Sequence, residues 1–508
     1  MHPQPTARLD LRLVPAALTA WGVTAAGITW RIGPPISAIF AAVAIGWWLS
    51  RRRLGDAHPV LRAAGVGVLG VAVVGTGFGL AIALRTHAVD RHPVGQLSGR
   101  TISVTVMPEE SPRSVGSGRL TFRAALVRIA DDETTGPVVV FASGVDFARL
   151  SAGQPVRFRA RVTRPRRRDL TVAALSAVGR PVFGEASLVQ RAALGVRTRF
   201  ASAAREALPA GQAAMLPGLV LGDTAAVTAT TIAEFRTAGL THLTAVSGAN
   251  VTIICGAVLL SARLIGPRPA VALAAAALVV FVIVVQPTAS VLRAAVMGAI
   301  GLLAVLSARR RQGIPVLAAT VISLLLIAPQ LAVNVGFALS VSATAALIVM
   351  APVWSARLAA HGCPKPLADA VCIAMAAQLV TAPLVAAISG QFSVVAVIAN
   401  LIVAPVIPPI TVLGTAAAVL CPLWPNVADL LIRFTGPEVW WLLRSAHAAA
   451  TLPGAAVAVP SGWPGVVSVG ACALGAIVSW RWQWFRLGLA AGLLCAAAWS
   501  VSGVVGSP

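Results

Sequence analysis

Charge is scarce in this chain. Of its 508 residues, 11% are charged and 57% are hydrophobic, and the mean hydropathy is +0.84. An ordinary soluble globular protein is excluded, because apolar runs repeatedly approach the ~20 residues that cross a bilayer. Lysine is almost missing: Lys365 is the only one, and the surrounding "CPKP" has no GxxxxGK[ST] context. A P-loop nucleotide site needs its phosphate-binding lysine, so a motor of that kind is excluded too. Tyrosine is absent altogether. Together with arginine in place of lysine this is a compositional bias, which by itself says nothing of function. The six cysteines (Cys255, Cys363, Cys372, Cys421, Cys472 and Cys495) form no CxxC pair. Neither a zinc site nor a disulfide framework is indicated, and the thiols read as small buried hydrophobes. No cofactor is expected.

What is present is positive charge, a net +23 from 40 Lys and Arg against 17 Asp and Glu. Positive loops serve as topology signals, as contacts to anionic lipid or as contacts to a polyanion. Three apolar segments come first, near 11–30, 35–50 and 60–84. The second follows the first at once, which favours membrane anchoring over a cleaved signal peptide. Four basic stretches, "RRRLGDAHPVLR", "SARRRQG" (307–313), "WSARLAAHGCPKP" (354–366) and "WRWQWFR", belong inside by the positive-inside rule. They agree on one multi-pass topology, with the N-terminus cytoplasmic and the C-terminus extracellular.

From about 88 to 185 apolar residues alternate instead of running together. "RTISVTVM", "RLTFRAALVRIA", "GPVVVFAS", "QPVRFRARV" and "LTVAALSAVG" read as five strands of period two between Gly, Pro and Asp turns. Five short strands in so few residues suit a small extracellular barrel of the OB type, or a sandwich fragment. The fourth strand sets Arg157, Arg159 and Arg161 on one face and runs into Arg166, Arg167 and Arg168. Such a row suits a phosphate backbone, or it is a solvated basic face; both readings stay open.

After an amphipathic stretch from Ser187 to Leu208, apolar segments return near 242–264, 269–286, 288–306, 314–328, 332–352 and 366–389. Residues 393–421 are interrupted by Pro405, Pro408 and Pro409 and read as two short spans or a re-entrant pair; two further segments lie near 463–480 and 484–504. The expected fold is a polytopic α-helical membrane protein of roughly eleven to thirteen spans, with the small barrel inserted. Its divisions are residues 1–87, 88–185, 186–210, 211–425 and 426–508.

Polar residues at membrane depth face protein, water or substrate. "GLVLGD" ends in Asp223 where an apolar element stops. In "GLTHLTAVSGAN", a single helix would place His242, Ser247 and Asn250 within an arc of about 140°. "QPTASVLRAAVM" carries Arg293 inside a span, either snorkelling or facing an anionic substrate. "NVGFALSVSATAAL" holds Ser340 among small residues that suit helix packing. Gln378 and Asn400 lie in Pro-interrupted segments of the kind found around transport paths.

In this order, "GLVLGD", "FRTAGLTHLTAVSGANV", "SVLRAAVM", "GFALSVSA" and "QLVTAPL…ANLIVAP" resemble the competence domain of the ComEC family of DNA-uptake membrane proteins. The similarity covers roughly 215 to 410, and the three helices and small barrel before it also fit that family. The resemblance implies a bacterial inner-membrane channel that passes one DNA strand to the cytoplasm. Asp223, His242, Ser247, Asn250, Arg293, Ser340, Gln378 and Asn400 would then lie along the path, with the barrel arginines receiving the strand. The implied partners are single-stranded DNA, a cytoplasmic ATPase or helicase, an extracellular DNA receptor, a separate nuclease and the lipid bilayer; monomer and homodimer both stay open. Asn250 stands where the family pattern usually has a second histidine, so titration is not expected there. The chain stops at Pro508, just after its last apolar segment, and holds no HxHxDH-type cluster, so the nuclease activity of many relatives is not carried over. Two rivals remain: a transporter of a smaller anionic or lipid-linked substrate, and an intramembrane serine hydrolase using Ser247 and His242.

Overall fold

The computed structural model describes residues 10–54, 59–114, 118–130, 132–148, 150, 152–167, 169–244, 248–285, 289–306 and 312–479. Three helices open the chain: α1 (Val14–Trp30), α2 (Gly33–Leu54) and α3 (Pro59–Asp90). Pro15 sits in the first turn of α1, where a missing N–H costs nothing, and the helix ends at Arg31 in the left-handed region. Close packing of α2 on α3 depends on small residues. A Cβ on Gly75 would lie within 2.7 Å of the Phe40 ring, and one on Gly79 within 3.1 Å of Ser37.

The barrel follows α3. Its strands are β1 (Thr101–Pro108), the two-residue β2 (Arg113–Ser114), β3 (Arg119–Ile129), β4 (Asp132–Ser143), β5 (Val156–Thr163) and β6 (Ala173–Phe183), with the single turn α4 (Val145–Ala148) between β4 and β5. The sheet runs β1-β5-β6-β4-β3-β2, and a further β1–β3 pairing closes five of the strands into a ring. All neighbours are antiparallel except β4 and β6, which are parallel. Register shifts at Thr105/Val106, Leu126/Arg128 and Arg157/Arg159 supply the local bends that closure requires. The period-two pattern decides which residues go inside. Along β5, Val156, Phe158, Ala160 and Val162 are buried while the residues between them are exposed. Phe122, Leu126, Val140, Phe147, Phe158 and Leu175 fill the interior, with Phe147 and Phe158 edge to face at 5.5 Å. Phe158→Ala is expected to cost about 3–5 kcal/mol through the cavity it leaves. Limited proteolysis of the full chain in detergent should then show new cleavage within 101–183, and an unchanged pattern would refute this.

The chain enters and leaves the barrel through fixed contacts. His92 Nδ1 accepts from the Val94 N–H (3.3 Å), and Nε2 lies 3.2 Å from the Thr135 carbonyl. Val94 itself belongs to the barrel core. At the other end Gly184 N–H donates to Pro155 O, and Gln190 of α5 (Leu188–Ala207) fills the space where a Gly153 side chain would stand.

The helices that follow are α6 (Ala210–Leu221), α7 (Ala229–Thr237), α8 (Gly248–Ser261), α9 (Pro267–Val285), α10 (Ala289–Leu306), α11 (Gly313–Ile327), α12 (Val335–Val349), α13 (Ala351–Ala360) and α14 (Lys365–Ser389). Then come strand β7 (Gln391–Ser393), helices α15 (Ala396–Val403), α16 (Ile407–Leu420), α17 (Pro425–Phe434) and α18 (Gly436–Thr451), strand β8 (Ala456–Ala458) and α19 (Trp463–Ser479). The chain divides into two compact units, one of Met1–Thr198 and Ile254–Ala338, the other of Arg199–Ile253 and Leu339–Pro508. The first contains the barrel and, apart from it, a hydrogen bond from Trp21 Nε1 of α1 to Ala332 O at 2.9 Å. In the second, β7 and β8 form a short antiparallel ribbon, and α6 packs against α16 so closely that a Cβ on Gly414 would collide with Val220.

This is a membrane protein. Among the described residues five helices are long and apolar enough to cross a bilayer: Gly67–Leu97, Pro267–Val285, Val335–Ala360, Lys365–Ser389 and Ala396–Leu420. Six further apolar helices span 10–17 residues. Two segments differ from the sequence reading. Residues 354–360 are helical rather than loop, continuing the span from Val335. Residues 396–420, expected to be interrupted, follow one helical path of 25 residues, long and apolar enough to cross a bilayer. Its prolines do not break it, because Pro405 falls in a 3-10 turn and Pro408 and Pro409 occupy the first turn of α16. The expected segment near 484–504 lies outside the described residues.

Candidate functional site

The candidate site lies in the second unit, where α6 ends. Pro217 lies inside α6, and Gly222 closes the helix in the left-handed conformation. The Gly222 N–H reaches Gly218 O and the Asp223 N–H reaches Pro217 O, which satisfies carbonyls that any helix end leaves orphaned. Asp223 is therefore the first residue past the cap, half-buried, with its carboxylate accepting from Ala225 N–H at 3.2 Å. Asn250 is buried in the first turn of α8, and its Nδ2 donates to Leu219 O of α6 at 3.1 Å. One side-chain amide thus ties the start of α8 to the last turn of α6.

His242 does not share a helix with Asn250. Helix α7, capped at its start by Thr228, ends at Thr237, and Gly239 turns the chain with φ +73°. A 3-10 turn, Thr241–Leu243, then carries His242, which is exposed, and α8 begins only at Gly248. The apolar run allows a helix throughout; the left-handed Gly239 and the separate turn prevent it. His242 and Asn250 therefore do not share the one helical arc expected of them, and Ser247 lies outside the described residues.

The end of α7 docks on residues from far along the chain. Ser393 Oγ donates to Thr237 O at 2.7 Å, and Ser393 O accepts from Gln378 Nε2 of α14 at 3.4 Å. Asn400 turns back on its own helix, donating to Ala396 O at 2.8 Å. Earlier on α7, Glu234 Oε1 lies 2.8 Å from His447 Nδ1 of α18. Ser340, half-buried on α12, offers its carbonyl to Thr344 Oγ1 at 2.8 Å, as a packed hydroxyl helix does.

Arg293 belongs to the other unit. It sits one turn into α10, buried, with Nη1 directed at Met297 Sδ at 3.3 Å. On the barrel, Arg157, Arg159 and Arg161 are exposed on one face as the alternation predicts. They face the hydroxyl-bearing Thr105, Ser103 and Thr101 across the β1 pairing, and Arg157 Nε donates to Ser103 Oγ at 3.1 Å. Arg166 and Arg167 are exposed in the loop beyond β5, and Arg168 lies outside the described residues.

Ser393 and the Glu234–His447 pair escaped the sequence reading. Each contact joins residues more than 150 positions apart, and no local pattern announces such a pairing.

No curated protein and no solved structure matches this chain. The model of one family, described as competence protein, matches residues 219–484, just over half of the chain. The match takes in the Asn250 tie, the His242 turn, the Ser393 docking point and the spans around them. The chain belongs to the competence protein family.

Proposed function

We propose that this protein passes single-stranded DNA through the bacterial inner membrane into the cytoplasm during natural DNA uptake. The observation that carries this reading is the coincidence of the competence segment with apolar helices that hold Asn250, Gln378 and Asn400 at half-buried or buried positions. A strand with about one charge per nucleotide needs hydrogen-bonding or positive walls, not hydrocarbon. Asp223, His242, Ser247, Asn250, Ser340, Gln378 and Asn400 are the residues of the path in this reading. Arg293, in the other unit, is retained as a cation buried within an apolar helix.

The barrel's ring order and single parallel pair support an OB-type module. In this reading it lies outside the cell and receives the strand on Arg157, Arg159 and Arg161. The basic stretches orient the chain with its N-terminus inside. A cytoplasmic ATPase or helicase pulls the strand, and an extracellular receptor and a separate nuclease prepare it. The protein itself cuts nothing and needs no cofactor.

The test is entry of labelled DNA into the cytoplasm of a transformable host, with and without the gene. Lost entry with surface binding preserved supports the reading; unchanged entry refutes it and favours a smaller anionic or lipid-linked substrate. Within the same assay His242→Leu is expected to lower entry at least tenfold at normal protein level. Normal entry would remove His242 from the path.

A further inference from the structure

The segment that carries His242 is short, and its own hydrogen bonds are local. Leu240 N–H donates to Phe235 O, Leu243 N–H to Leu240 O and Thr244 N–H to Thr241 O. Nothing in that set fixes where the segment points. Its direction is set instead where α7 stops. The Thr237 carbonyl lies in the last turn, where helix carbonyls lack an internal partner. Ser393 Oγ supplies the missing donor at 2.7 Å. Two residues on, Gly239 lies flush against the start of α15: a Cβ there would collide with the Ala396 Cβ and come within 3.1 Å of its Cα and 3.2 Å of Ser393 Oγ. Gly239 is thus required twice, for its φ of +73° and for the missing side chain.

Ser393 is itself held on two sides. Its carbonyl takes the Gln378 amide of α14, and its strand pairs with β8 at Ala456. A residue fixed by α14 and β8 therefore grips the end of α7. We infer that Ser393 is a positioning residue: with Gly239 and Ala396 it forms an anchor that sets the place of residues 239–244. The inference rests on the reading of that segment as part of the DNA path, and it adds the junction that aims it.

Amide hydrogen exchange on the full-length protein in nanodiscs reads the anchor without DNA. Ser393→Ala is expected to speed exchange at Leu240, Leu243 and Thr244 by tenfold or more, with the barrel unaffected, and to lower DNA entry at least tenfold. Ser393→Thr keeps the hydroxyl and should stay within twofold of the wild type in both measurements. Gly239→Ala should loosen the same amides, and adding Ala396→Gly should restore part of their protection. Where Gly239→Ala fails to reach the membrane, the two Ser393 variants carry the test. Unchanged exchange in Ser393→Ala would overturn the anchor whatever happens to entry, as would a threonine variant as loose as the alanine one. Faster exchange with normal entry would uphold the anchor and instead remove residues 239–244 from the path.

Discussion

Replacing Arg157, Arg159 and Arg161 together by glutamine is expected to weaken the binding of single-stranded DNA to the full-length protein about a hundredfold at 0.1 M salt. The size follows from counterion release. Each phosphate neutralised on a single strand contributes about 0.7 to the slope of log affinity against log salt. Three contacts therefore account for about two units of slope, and at 0.1 M for about two decades of affinity relative to 1 M. The three side chains are exposed, on one face, and flanked by hydroxyls, so a backbone can approach them. Their neighbours Val156, Phe158 and Val162 carry the core, so the triple variant should leave the barrel folded. The measurement is a salt titration of binding by wild type and variant. Parallel lines of equal slope would show that this face does not meet phosphates.

The second large effect belongs to Asn250. Asn250→Leu removes the donor to Leu219 O in a buried place and leaves that carbonyl short of a partner, a cost of about 1–3 kcal/mol. It also frees the start of α8 from the end of α6. DNA entry is expected to fall more than tenfold, with a lowered melting temperature in detergent. Asn250→His keeps a ring N–H and should retain most of the entry. If leucine works as well as asparagine, the tie between α6 and α8 plays no part in transport.

The barrel was legible because period-two alternation is a strong signal: all five expected strands occur near their expected places. The alternation of β5 even fixed the side on which its arginines stand. Membrane character was equally plain from the apolar runs. Interruptions were harder to read. Three prolines between 405 and 409 suggested a break, yet proline is harmless in a first turn, and whether a proline falls in a first turn or mid-helix depends on where the helix starts. The opposite error occurred at 239–250, where an apolar run hid a turn. Gly239 was visible, but its need for a bare Cα comes from Ala396 packed against it, a contact no local pattern contains. Positions of single polar groups could be named from the sequence; what each touches could not.

The ring order of the barrel also bears on how the protein is made. β1 pairs with β3, which follows it closely, but its other neighbour is β5, and β4 must wait for its parallel partner β6. Pairing across such separations is slow, because loop entropy is spent before any contact forms. A nascent chain therefore holds β1, β3 and β4 as an open sheet with two unsatisfied edges until residues up to Phe183 have arrived. Adding β5 to β1 only moves that edge outward; β6, which pairs with both β5 and β4, closes the ring, so β6 governs how long the newborn domain stays exposed to mispairing.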